Sequence, residues 1–304
     1  MGETIAREQR LESRTVTWPD EQRFDSLQDL INGLGELIIE AQKAGHRWIY
    51  RGQPRASWEL EPTIERRLPN VSTSDSESHL LWDFKRLAAS LSDRVPDFSD
   101  NPSWFALMRH HGAPTRLLDW TDSCYVALFF ACDEEKRRDD DKDQNSSVWA
   151  LNASILFDKM KEQIARIIPD SAWESLDLSS THQFDAVALH AFNYDAYKDE
   201  GLIAELPPRS SNSRMAFQQG TFLINCNHKV TFAESLKKMM NSTSSLSKPW
   251  VRKLVFPWTL REEIWAHLYE RNVHPFTLFP DLDGLGRLLK LKNHVYWSRP
   301  KPIL

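Results

Sequence analysis

The stretch FALMRHHGAPTRLLDWTDSCYVALFFA, residues 105–131, constrains this chain more than any other part of it. His110, His111, Thr115, Arg116, Asp119 and Trp120 fall within eleven residues, between two segments with the apolar spacing of buried helices. The first helix, from Ser103 to His111, stops at Gly112, and Pro114 forces the chain to leave it extended. Residues 115–120 therefore read as extended chain. Thr121 to Ser123 then supply N-cap side chains for the helix that carries Val126, Phe129 and Phe130. Polar groups crowded between such flanks read as a site.

The remaining chain organises around this stretch. Residues 1–24 are polar and aperiodic and read as an arm, followed by one domain over 25–304. Leu27, Leu30, Ile31, Leu34, Leu37, Ile38 and Ala41 predict an amphipathic helix stopped by Gly45. Residues 46–50 predict a short strand that delivers Arg51, Gly52 and Gln53 to its end. Leu80, Leu81, Phe84, Leu87 and Leu91 mark a further helix, and residues 137–147 a charged surface loop. Residues 148–152 and 220–225 have strand character, with helix and loop expected over 153–192. Thr259 and Glu262 form a capping-box pattern, and PFTLFPDLDGLGRLLKL predicts a Pro-bounded loop and a last helix. The fold class expected is α+β.

Composition limits the function classes. Hydrophobic residues make up 41% and charged residues 27%, ordinary for a globular chain, and no apolar run approaches the ~20 residues that span a bilayer. Residues 1–16 have no apolar core of a secretory signal. Cys124, Cys132 and Cys226 have neither an even count nor zinc spacing, which fits a reducing cytoplasm and no resident metal. Charge is uneven: residues 228–304 carry 13 Lys and Arg against 6 Asp and Glu, and residues 1–227 carry 25 against 37. The basic region, expected to be helical, interleaves Lys248, Trp250, Arg252 and Lys253, and again Lys292, Tyr296, Trp297 and Arg299. That pattern suits phosphate contact and base stacking, or else a basic face packed on the acidic half.

Individual groups suggest a chemistry, each beside a structural alternative. Arg51 before Gly52 places a guanidinium where bare backbone lets a phosphate or carboxylate approach, or else bridges to Glu59 or Glu61. His110 and His111 diverge by about 100° on a helix, which disfavours a shared metal. Either suits general acid work or phosphate contact, or simply ends a helix, and spacing favours His111 beside Gly112. Arg116 and Asp119 are candidates for one buried ion pair, with a structural role for Asp119. Trp120 is core or the wall of a flat ring. Gln218 and Gln219 lead into the 221–225 strand and hold a ligand hydroxyl or form a plain turn.

YRGQP at 50–54, RHHGAPTRLLDWTDSCYVALFFA at 109–131, FQQGTF at 217–222 and LFPDLDGL at 278–285 together resemble the FRG-domain family, named for its Phe-Arg-Gly motif. The resemblance spans roughly residues 28–290. Tyr50 replaces the Phe of the name, Arg109 stands where the family tends to have Gln, and His110 matches the family's His. FRG domains resemble distant members of the ADP-ribosyltransferase superfamily, so the resemblance implies a split β-sheet whose cleft binds NAD. It also implies a setting among toxins and phage defence, where a cognate inhibitor protein is expected.

Carried over by motif, Tyr50, Arg51, Gly52, Thr115, Arg116 and Trp120 would bind NAD, used as co-substrate. His110, His111, Asp119 and Gln219 would do the chemistry. The superfamily's usual Glu is replaced at the last motif by Gln218 and Gln219, which leaves Glu205 or Asp119 as the acid. The resemblance implies an ADP-ribosyltransferase modifying a macromolecule, with RNA or DNA preferred to protein on the basic, aromatic tail. Two rivals stand beside it: a non-catalytic module that binds nucleic acid or protein, and a phosphoesterase or nuclease using a histidine with Arg116 and Asp119.

Overall fold

Leu27–Ala44 is a helix because its apolar residues recur on one stripe, Ser26 accepts a bond from the Asp29 N–H, and Gly45 closes it at φ 64°. The computed structural model describes residues 18–67, 73–92, 95–133, 143–167, 201–206, 213–241 and 249–295. Its strands are β1 (Asp20–Arg23), β2 (Trp48–Gln53), β3 (Leu117–Thr121), β4 (Asn145–Asn152), β5 (Ile203–Leu206), β6 (Gly220–Asn225) and β7 (Val251–Pro257). Its helices are α1 (Leu27–Ala44), α2 (Thr63–Arg67), α3 (Thr73–Ala88), α4 (Asn101–His110), α5 (Cys124–Cys132) and α6 (Ala153–Ile167). Then come α7 (Ser213–Phe217), α8 (Phe232–Asn241), α9 (Arg261–Tyr269), α10 (Pro275–Leu278) and α11 (Leu282–Val295). The fold is α+β, as expected.

The strands form one mixed sheet in the order β1-β7-β4-β2-β3-β6-β5, with only the β1–β7 pair parallel. Each face is covered. Ile49, Trp149 and Leu151 point toward α4, α6 and α8, while Trp48, Tyr50, Val148 and Ala150 point toward α1, α5 and α9. α5 is buried nearly all round, and Ser123 caps it by accepting from the Val126 N–H.

The sheet is joined unevenly. β2 pairs with β4 through six registered residues, from Trp48 opposite Asn152 to Gln53 opposite Ser147. β2 meets β3 only at Tyr50 opposite Thr121, and beyond that point the strands part. The half β1-β7-β4-β2 and the half β3-β6-β5 therefore open like a hinge at Tyr50. Unpaired backbone on parting strands needs other partners. One is Arg51, whose Nη1 donates to the Asp119 carbonyl at 2.6 Å across the opening.

Several sequence expectations are corrected here. Arg51, Gly52 and Gln53 lie inside β2, not past its end, because the ladder to β4 continues through them. The bare backbone at Gly52 is required by α5: a Cβ there would collide with the Ala127 carbonyl oxygen and crowd the Ala131 nitrogen. Part of the polar arm is an edge strand, β1. The basic C-terminal region contains β7, in which Arg252 pairs with Glu40 at 2.9 Å and Lys253 Nζ donates to the Ala56 carbonyl at 2.6 Å. Trp250 is buried, so this basic and aromatic cluster is consumed by the sheet. Lys248, Tyr296, Trp297, Arg299 and residues 168–200 lie outside the described residues. Thr259 caps nothing, because a 3-10 turn (Trp258–Leu260) precedes α9 and Leu260 stands at its N-cap.

Candidate functional site

Where β2 and β3 part, a cleft of about 1210 Å³ opens, larger than the ~300–1,000 Å³ usual for drug-sized ligands. Tyr50, Arg51 and Gly52 line it from β2, and Asp119, Trp120 and Thr121 from β3. Arg109 and His110 come from the end of α4, and Arg214, Met215 and Gln218 from α7 and the turn after it. Phe222 and Phe130 add apolar walls.

The centre of the cleft is a charge constellation. Arg109 grips the Asp119 carboxylate: Nε donates to both oxygens at 3.1 and 3.0 Å, and Nη2 donates to Oδ2. Thr63 accepts from Arg109 Nη1 at 2.6 Å and so fixes the fork from the far side. Arg51 Nη1 lies 3.8 Å from Asp119 Oδ2. Burial by itself would raise the Asp119 carboxyl, but Arg109 and Arg51 reverse this and hold it below its ordinary value. It is ionised at neutral pH. Burial lowers Arg51 to about 10, still a cation there. Burial, with His111 and Arg214 nearby, lowers the His110 imidazole, which is therefore neutral at pH 7.

Two donors of cleft-lining residues, Arg51 Nε and Trp120 Nε1, are buried in the packing with no hydrogen-bond partner. Orphaned buried donors cost free energy.

The structure separates the expected site residues into two groups. Tyr50, Arg51, Gly52, His110, Asp119 and Trp120 come together at the cleft. His111 does not line it: it is exposed and forms the C-cap of α4, the structural alternative for an end-of-helix histidine. Thr115 and Arg116 are buried away from it. Arg116 does not pair with Asp119; its Nε donates to Glu77 Oε2 at 2.6 Å and its Nη1 to the Asn225 carbonyl at 2.9 Å. The reason is strand alternation and direction: Asp119 turns to the opening, while Arg116 enters the packing beneath α3. Gln219 is exposed in a left-handed turn at φ 47°, its carbonyl taken by the Asp122 N–H at 3.0 Å. Gln218 lines the cleft instead. Glu205 is no substitute acid, because Arg47 clamps both its oxygens at 2.9 Å and Thr221 donates to it at 2.7 Å, outside the cleft.

Arg109 and Arg214 are the cleft residues that sequence reasoning left out. Arg109 was visible only as a departure from a family Gln, and Arg214 only as a lone basic residue ahead of FQQG.

Among the described residues no group of His, Cys, Asp and Glu could hold a metal ion. No described helix is long and apolar enough to cross a membrane. All three cysteines are buried. No curated protein and no solved structure matches the chain. The family model of the FRG domain matches residues 46–140, a stretch that runs from β2 through α5 and past it. The strand bearing Arg51, the helix ending in His110 and the strand bearing Asp119 all fall within the stretch that is similar to the FRG domain.

Proposed function

We propose that this chain is an NAD-dependent ADP-ribosyltransferase acting on a macromolecule. One observation carries the reading: the Arg51 strand, the Asp119 strand and the Gln218 turn converge on one hollow of dinucleotide size at the split of the sheet.

The reaction would break the bond between the ribose anomeric carbon and the nicotinamide nitrogen. The electron pair leaves with nicotinamide, and an acceptor nucleophile forms the new bond to the anomeric carbon while losing its proton. The intermediate sugar carries positive charge, and an ionised, pre-oriented carboxylate beside it stabilises it. Asp119 is that carboxylate, kept ionised and oriented by Arg109. Neutral His110 is placed to take the acceptor's proton. Tyr50 and Trp120 are buried on opposite faces of the sheet, so the nicotinamide ring is confined by the apolar wall that Phe130 adds. Acceptors are nucleic acid or protein. With the Trp250 cluster consumed by β7, the preference for nucleic acid rests on the cleft's own cations. A toxin or defence role, with a restraining partner protein and a cytoplasmic location, belongs to the same proposal and rests on the family resemblance.

A second reading has its own support. Arg109 already satisfies the Asp119 carboxylate, as expected of a cleft that recognises a ligand without reacting. The nuclease reading loses its arginine, since Arg116 faces Glu77.

Incubation with labelled NAD and RNA, DNA or cell lysate decides between them. The proposal expects label transfer with nicotinamide release, and a rate about 10²-fold lower in Asp119→Asn, the scale of losing one preorganised electrostatic group. Binding of RNA with steep salt dependence but no consumption of NAD would favour the binding module.

A further inference from the structure

The cleft holds several cations but treats them unequally. Arg51 is committed to the Asp119 carbonyl and Arg109 to the Asp119 carboxylate. Arg214, on α7, has no carboxylate or carbonyl partner among the described residues, although Asp119 and Asp281 attract it from a distance. Its guanidinium instead lies over the Phe279 ring at 4.4 Å, and Arg287 approaches the same ring at 4.8 Å.

That seat is rigid. Phe279 is 5% exposed and packs against Phe129 and Phe130. Gln218 Nε2 donates to the Leu278 carbonyl at 3.1 Å and ties the α7 turn to α10. A guanidinium held over an aromatic ring by cation–π attraction keeps N–H donors for other partners, and its fork can recognise phosphate through two parallel bonds. Arg287 is drawn away to Asp133 at 3.7 Å, which leaves Arg214 the cleft cation with spare donors.

We propose that Arg214 is the phosphate-binding group of this cleft, in place of Arg51, whose fork closes the sheet. Only the identity of the phosphate's owner rests on the transferase reading. A dinucleotide diphosphate and a nucleic-acid phosphodiester offer the same chemistry to the fork.

The test is calorimetry on the full chain with inorganic pyrophosphate, NAD and a short single-stranded RNA, for wild type, Arg214→Ala and Arg214→Lys, with folding followed by circular dichroism. Pyrophosphate binding should weaken about tenfold or more in Arg214→Ala, the scale of a charge-assisted bond, and less in Arg214→Lys, which keeps charge but not the fork. Loss confined to NAD assigns the phosphate to the dinucleotide, and loss confined to RNA assigns it to the acceptor. Pyrophosphate bound equally by folded wild type and Arg214→Ala, or not bound by wild type, overturns the proposal. NAD turnover and pyrophosphate binding both unchanged in folded Arg214→Ala would sink this subsite and leave the transferase reading standing. Arg214-dependent pyrophosphate binding with inert NAD would do the reverse.

Discussion

Two arginine–carboxylate pairs meet at β3, and they differ in almost everything except chemistry. Arg116 and Glu77 lie with side chains 2% and 0% exposed, joined at 2.6 Å with further bonds to backbone. Arg109 and Asp119 lie at the cleft with side chains 23% and 41% exposed. A charge pair in the interior is there because its geometry is complete, and removing one partner strands the other. A pair at the edge of a cleft keeps an oxygen face toward a ligand. Two residues separate Arg116 from Asp119 in sequence, yet one guanidinium belongs to the core and one carboxylate to the site.

The contrast is open to direct attack. Arg116→Ala should destabilise the fold by about 3–5 kcal/mol, because Glu77 is left charged and fully buried. Arg109→Ala should cost far less stability, within about 1 kcal/mol, since its partner is reached by water. Its effect should fall instead on NAD turnover, and denaturant melts beside nicotinamide release separate the two. Equal destabilisation by both variants would erase the distinction.

A third carboxylate sharpens the comparison because it lacks an arginine. Glu65 accepts from the Phe232 N–H at 3.1 Å, and burial, with Glu61 and Glu234 near, pushes it up to about 7. A folded-state value above the ordinary 4.5 means that the folded chain holds this proton more tightly than the unfolded chain. Its contribution is full below about pH 4.5 and is lost as pH rises to about 7. Glu65→Gln should remove that slope and raise the melting temperature at pH 8 by about 2–4 °C, the shift of roughly 1 kcal/mol in a chain this size. A slope unchanged between pH 4.5 and 7 would show that Glu65 carries no such burden.

Much of this was legible in the residues. Gly45, Ser123 and the 220–225 strand announce themselves through local rules, a left-handed cap, an N-cap oxygen and a β-rich run. β5 was missed because IAEL is buried throughout and shows no alternation, and β1 because DEQR is a polar edge. β7 was hidden by its charges: Arg252 and Lys253 look like a nucleic-acid face until Glu40 and the Ala56 carbonyl claim them. The Arg116 pairing spans 39 positions and the Arg51 bond 68, distances at which spacing carries no signal. In the Arg-Gly motif the glycine answers to α5 and the arginine to β3.

The central claim is that the opening between β2 and β3 is a dinucleotide site. A crystal structure of the chain soaked with NAD tests it in one step. The account predicts density along the split, with the nicotinamide end beside Asp119 and the diphosphate toward Arg214. Density elsewhere on the molecule, or an empty cleft at millimolar NAD, would contradict it.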